Sequence, residues 1–238
     1  MLQNELKQKL DETKRDFDVF PVTELIGIAI IVQPTPTEVK HYTENPEMIR
    51  RLNEFSKQNQ LINTENSMTT HYRMQQHPEE WYDYHKRLEE IRKSWTVDPL
   101  EKIIQRLKRL SPRLRIGDFG CGKAKIVDVF GNNRVKSFDH IAINEKVTSC
   151  DMRSVPLEDG YLDVIVFSLS LMGKNWHEHI IEANRCLMST GTLIIADTVR
   201  SLTEGRLNNL KEVLLENSFE VYKEELWDIF SYIEARKK

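Results

Sequence analysis

The chain has 238 residues, 39% hydrophobic and 30% charged, a balance suited to one α/β domain with a buried core and a small accessory segment. Its net charge of −3 lacks the basic surplus that usually accompanies a polyanion partner, although a local basic face is compatible with an acidic whole. The three cysteines, Cys121, Cys150 and Cys186, are too scattered for a disulfide framework, and no pair has metal-ligand spacing, so no metal site is expected.

The chain opens with a short charged helix, then a β-like run at Leu25–Val32 and a loop carrying Pro34 and Pro36. That run is too short to cross a bilayer, and the first 18 residues lack a signal-peptide core, so an intracellular protein without a membrane span is expected. A polar helix is predicted near Pro46–Gln58, with proline in its first turn, and the Asn/Gln-rich stretch Gln58–Ser67 reads as a linker. Residues 1–63 thus form an accessory segment with no evident chemistry.

Residues 64–113 read as a helical flank. Pro78 opens a helix to about Lys93, with Trp81, Tyr84, His85 and Leu88 on one face. A second helix starts at Asp98-Pro99, a cap followed by proline, and buries Leu100, Ile103, Ile104, Leu107 and Leu110. Lys102, Arg106 and Arg109 lie on its other side, either as a solvated face or as an RNA-facing patch.

From residue 114 to 238, strands alternate with helices, which predicts a mostly parallel sheet covered on both faces. Strands are predicted at Leu114–Phe119, Val135–Asp139, Val147–Cys150, Leu162–Leu169 and Thr192–Asp197. A closing antiparallel pair follows at Phe219–Leu226 and Ile229–Ala235. Helices fall near Ala124–Phe130, Trp176–Met188 and Leu202–Asn217, whereas Asp139–Val147 is too short for one.

The chemistry concentrates at strand ends. Ile116-Gly117-Asp118-Phe119-Gly120-Cys121-Gly122 places glycines where a first strand turns into a helix, the position at which open α/β sheets admit a ligand to the backbone. Nineteen residues beyond Gly120, Asp139 ends the next strand, where a carboxylate can accept from both ribose hydroxyls of a nucleoside cofactor. Asp151 and Met152 follow the next strand; the carboxylate suits an adenine amine and the thioether its ring. Lys125 stands where a dinucleotide fingerprint has its third glycine, and no phosphate-binding Gly-Lys-Ser/Thr loop exists. Three acidic strand ends in order therefore fit a nucleoside without phosphates, although strand-end aspartates also cap ordinary turns.

Several segments together resemble the ribosomal RNA-processing methyltransferases related to nucleomethylin. They are Tyr84-His85, Trp95-Thr96-Val97-Asp98-Pro99-Leu100, Asp118-Phe119-Gly120-Cys121-Gly122, Cys150-Asp151-Met152-Arg153-Ser154-Val155-Pro156-Leu157-Glu158-Asp159, Leu169-Ser170-Leu171-Met172-Gly173 and Glu182-Ala183-Asn184-Arg185-Cys186-Leu187. The likeness runs from about Thr64 onward. It implies a class I, Rossmann-like sheet of seven strands and S-adenosylmethionine as cofactor, held by His85, Gly120, Asp139, Asp151, Met152 and Ser168. Lys123 stands where the family tends to carry an acidic residue, Ser168 where it carries cysteine, and residues 1–63 are unlike the long basic extension of nucleolar members.

The resemblance further implies methylation of N1 of an adenine in ribosomal RNA, in the cytoplasm of a bacterium or the nucleus and nucleolus of a eukaryote. Asp197, ending the fifth strand, is the candidate acceptor for the amine of the target base, or else a turn-forming aspartate. Trp176 either stacks on the target base or packs. The Asp/Asn-Pro-Pro-aromatic turn of methylases acting on exocyclic amines is missing, since that place reads Ser168-Leu169-Ser170-Leu171. Another methyl acceptor (DNA, protein or a small molecule) and a silent cofactor-binding module remain the competing readings.

Overall fold

A computed structural model describes residues 46–93, 95–198 and 206–238. The predicted N-terminal helix, the run Leu25–Val32, the Pro34/Pro36 loop and the predicted helix start at Leu202 lie outside them. The chain divides into two compact units, one ending at Leu61 and including Asp83–Thr96, the other comprising Ile62–Tyr82 and Val97–Lys238.

Two helices supply the described part of the smaller unit: α1 (Pro46–Thr64), which continues past its boundary, and the later turns of α3 (Pro78–Arg92). Phe55 stacks on Tyr84 with ring centroids 5.2 Å apart, and Arg87 bonds Gln58 at 2.7 Å and Glu54 at 2.9 Å. The stretch predicted as a linker is therefore helical through Thr64. Its amides do not break the helix because Phe55 and Ile62 are buried along it, and packing outweighs a weak local propensity.

The first helix lying wholly in the larger unit is α2 (Ser67–Gln76), whose cap residue Asn66 accepts from the Met68 amide. After the first turns of α3 comes α4 (Pro99–Lys108), started as predicted by Asp98, which accepts from the Leu100 amide at 2.9 Å. Its buried stripe of Leu100, Ile103, Ile104 and Leu107 joins the core under Ile116, Val135, Val164, Ile194 and Tyr232.

The sheet contains β1 (Ile116–Phe119), β2 (Val135–Asp139), β3 (Val147–Ser149), β4 (Leu162–Ser168), β5 (Leu187–Thr198), β6 (Phe219–Trp227) and β7 (Phe230–Lys237). Helices α5 (Lys125–Phe130), α6 (His177–Cys186) and α7 (Arg206–Glu216) connect them, and no helix separates β2 from β3. The order is β3-β2-β1-β4-β5-β7-β6; β1 to β5 run parallel and β7 inserts antiparallel between β5 and β6. This is the expected class I Rossmann-like arrangement. β5 starts five residues earlier than predicted and α6 ends two earlier, because Leu187 pairs with Leu162 before a register shift.

Candidate cofactor site at the strand ends

The carboxyl ends of β1, β2 and β3 lie side by side and carry most of the predicted residues. After β1 the chain turns through Gly120 (φ +76°) and Gly122 (φ +54°). The amides of Gly120 and Cys121 both donate to the Phe138 carbonyl, at 2.8 and 3.0 Å. A Cβ on Gly120 would lie 2.3 Å from Cβ of Ser170, so no other residue fits without rebuilding the turn. Met152 is on the same spot, its sulfur 3.5 Å from that Cβ position. Ser170 in turn donates to the Phe119 carbonyl at 2.6 Å.

Asp139 is 2% exposed, and its two oxygens each accept one backbone amide, from Gly122 and from His140, both at 2.7 Å. The Trp81 side chain bonds the carboxylate as well, and the acceptor capacity left over can take a ligand hydroxyl. Burial pushes its carboxyl up to about 7, against the pull of those two amides and of Trp81. Asp118, next to it and equally buried, is also pushed up to about 7 by burial, with the Asp139 charge adding. Among the described residues neither carboxylate has a cation partner. Two buried acids without a counter-charge are costly in an isolated fold and are the kind of expense found at ligand sites.

Asp151 behaves differently. Burial opposes its ionisation, but the Arg153 guanidinium at 2.9 Å, the Arg153 amide at 3.0 Å and the Ser67 hydroxyl hold its carboxyl below the usual range. Arg153 also pairs with Glu178 at 3.2 Å, and Glu178 accepts from Asn175 at 2.8 Å. The Cys150 amide donates to the Asp139 carbonyl at 2.8 Å, which carries the β2–β3 ladder up to Asp151.

Ser168 closes β4, one residue beyond the Phe119–Phe167 pairing and so beside the glycine turn. Asp197 lies one residue past the Ser168–Ala196 pairing, on the same edge of the sheet. It is 6% exposed, and one oxygen accepts the Thr198 amide at 2.7 Å. Gly120, Asp139, Asp151, Met152, Ser168 and Asp197 thus share one edge. His85 sits on α3 in the other compact unit, half-buried, with its ring edge-on to Tyr84. Trp176 is buried, against the stacking reading, and meets His177 edge-on. Arg106 is withdrawn from the basic face: its guanidinium makes two 2.8 Å bonds to buried Glu234, leaving Lys102, Lys108 and Arg109 exposed on α4.

Sequence reasoning missed Ser67, His71, His140 and His179. His71 and His140 bring their Nδ1 atoms within 3.3 Å, so one ring donates to the other and they pair as neutral imidazoles. Burial drives His140 down to about 3, with His71 adding, and His179 down to about 4. No spacing rule predicts them, since α2 brings His71 across to residue 140.

A family model described as "Hypothetical methyltransferase" matches residues 45–238. Ribosomal RNA-processing protein 8 of Dictyostelium discoideum is 35% identical over 160 residues, covering 65% of this chain and 40% of that protein. The 25S rRNA (adenine(645)-N(1))-methyltransferase of Schizosaccharomyces pombe is 36% identical over 149 residues, 58% of this chain and 46% of that protein. The chain therefore spans under half the length of these two relatives. In fold it is similar to the crystal structure of the cyclase SpnF, with a TM-score of 0.50 and 16% identity over 60% of this chain and 85% of that one. By the match over residues 45–238, with the strand order and glycine turn that accompany it, the chain belongs to this methyltransferase family, the one that holds the ribosomal RNA-processing methyltransferases.

Proposed function

We propose that the protein transfers a methyl group from S-adenosylmethionine to N1 of an adenine in ribosomal RNA. The observation that carries the cofactor half is the pair of buried acids, Asp118 and Asp139, beside a turn that only glycine at position 120 fits. Such a cradle suits an uncharged ribose edge and a cationic amino-acid tail. Support for the RNA half comes from the relatives' names, which describe ribosomal RNA processing and adenine-N1 methylation. Such a role belongs in the cytoplasm of a bacterium or the nucleus of a eukaryote.

Asp139 would accept the ribose hydroxyls, Asp151 the adenine amine, and Met152 would pack on the adenine ring. Asp118 would face the ammonium, and by the family resemblance His85 would be a further cofactor contact. The bound cofactor supplies a methyl on a positive sulfur, so the leaving group is already activated. Asp197 would accept from the exocyclic amine of the target adenine as its N1 lone pair forms the bond to carbon, and hold the proton that the methylated base sheds. The remaining work is alignment and exclusion of water.

The test is methyl incorporation into purified ribosomal RNA, followed by mass analysis of the nucleosides. We expect N1-methyladenosine; cofactor binding without transfer to any RNA would instead favour a binding module. Asp197→Asn keeps the shape but turns an acceptor oxygen into a donor. It should slow single-turnover methylation with little change in cofactor affinity or melting temperature. Wild-type turnover in that variant would remove Asp197 from the mechanism.

A further inference from the structure

The phrase Leu169-Ser170-Leu171-Met172-Gly173 carries no step of methyl transfer, yet it is bonded into the larger unit at both ends. Ser170 braces the glycine turn from one side. At the other end of the loop, Gly173 adopts φ +86°, and a Cβ there would meet the Glu65 carbonyl at 3.3 Å. The Lys174 amide donates to that same carbonyl at 2.9 Å. Asn175, 4% exposed, then grips the first turn of α2. Its carbonyl oxygen accepts the Ser67 amide at 2.9 Å, and its amide nitrogen donates to the Ser67 hydroxyl at 3.2 Å.

With its lone pair occupied by Asn175, the Ser67 hydroxyl has its proton free for Asp151, whose oxygens lie 3.1 and 3.2 Å away. An ionised carboxylate offers about four acceptor positions. The Arg153 amide takes one on Oδ1, its guanidinium meets Oδ2 with both Nε and Nη2 at 2.9 Å, and the single Ser67 proton is shared between the oxygens. The direction from which a further donor can approach depends on where Ser67 and Arg153 hold the carboxylate. Asn175 touches Ser67 directly and reaches Arg153 through Glu178, to which it donates.

We propose that Asn175 is a positioning residue for base recognition: through Ser67 and Glu178 it fixes the Asp151 carboxylate so that an oxygen meets the exocyclic amine of the cofactor's adenine. The proposal rests on the reading of Asp151 as the adenine acceptor, and it makes the loop after β4 a determinant of which nucleoside is accepted. An amine is a donor; the carbonyl of a deaminated base is an acceptor and would face the carboxylate unfavourably.

The test compares binding of S-adenosylhomocysteine and its deaminated counterpart, S-inosylhomocysteine, by calorimetry on the full chain. Wild type should prefer the adenosyl compound by about tenfold or more, the scale of one hydrogen bond to a charged group. Asp151→Ala should lose that preference. Asn175→Ala and Ser67→Ala should each cut it by about threefold or more while leaving inosyl affinity nearly unchanged, and Ser67→Thr, which keeps the hydroxyl, should retain it. If Asn175→Ala fails to fold, Ser67→Ala, which removes one oxygen, decides alone. Equal weakening toward both compounds would make the loop a mere clamp and overturn the proposal. Preference surviving in Asp151→Ala, or absent from wild type, would overturn the adenine reading beneath it.

Discussion

Two buried acidic centres in the larger unit show how the same side-chain chemistry serves opposite ends. Glu234, on β7, is fully buried and surrounded: Arg106 grips both oxygens, and the hydroxyls of Tyr222 and Tyr232 each donate at 2.6 Å. Burial opposes its ionisation, but Arg106 and the tyrosines outweigh it and hold the carboxyl down to about 2. Asp118 and Asp139, on β1 and β2, are as deeply buried but lack a cation, and they are pushed the other way, to about 7. A carboxylate whose partners come from the fold is architecture. One that is buried without a counter-charge is a candidate for a ligand.

The widest gap between the centres should appear on removing a partner. Arg106→Ala strands Glu234 without its main counter-charge and should cost about 2–4 kcal/mol in urea unfolding, below the full range for a buried pair because Arg106 is partly exposed. Cofactor affinity should stay the same. An unchanged unfolding midpoint would show that the two tyrosines suffice.

Asp139→Ala should leave the fold intact and weaken S-adenosylmethionine binding by about 1–3 kcal/mol in calorimetry. The two centres should also respond oppositely to pH. The raised carboxyls of Asp118 and Asp139 favour the folded chain most when protonated. Their contribution is complete below their unfolded values and is lost as pH rises through about 7. Cofactor affinity should climb over that same window, because the ionised carboxylate is the better acceptor. Glu234 has a lowered value, so its contribution is present above its unfolded value and lost as pH falls toward 2. Affinity that stays flat between pH 6 and 8 would mean that Asp139 is already ionised in the free protein.

The smallest effect concerns the basic helix face. With Arg106 engaged by Glu234, only its exposed neighbours are available to phosphates. Replacing Lys102 and Arg109 with alanine should flatten the logarithmic salt slope of RNA binding by about 1.4, whereas Arg106→Ala should leave it unchanged. An equal change in both variants would place Arg106 back among the RNA contacts.

Arg106 also marks where reading from sequence stops. Gly120, Asp139 and Asp151 could be found because each sits at the end of a strand, and strand ends follow from apolar runs and turn residues. The cap at Asp98-Pro99 was legible for the same local reason. Arg106 looked like a surface cation because its partner lies 128 positions away, and nothing near either residue announces the other. Ser67 and Asn175, 108 residues apart, were invisible for that reason too. The stretch Gln58–Ser67 misled in another way: its composition suggests a linker, while burial of Ile62 keeps it helical. Local chemistry located the candidate acceptors; the contacts that hold them are long-range and needed the fold.

The place of β7 has a consequence for how the chain comes to be folded. It is the latest strand in sequence, yet it lies inside the sheet, with β5 on one side and β6 on the other. During synthesis, β5 emerges with its outer edge bare, and β6 has no place to pair until residues 230–237 have left the ribosome. Glu234 arrives on that same strand, so Arg106 is made 128 positions before its partner. The sheet therefore closes by insertion rather than by growth at an edge, a non-local step of the kind that is slow and exposes unpaired backbone meanwhile. A pulse-labelled nascent chain should stay sensitive to protease until β7 is released, and then become resistant in a single step.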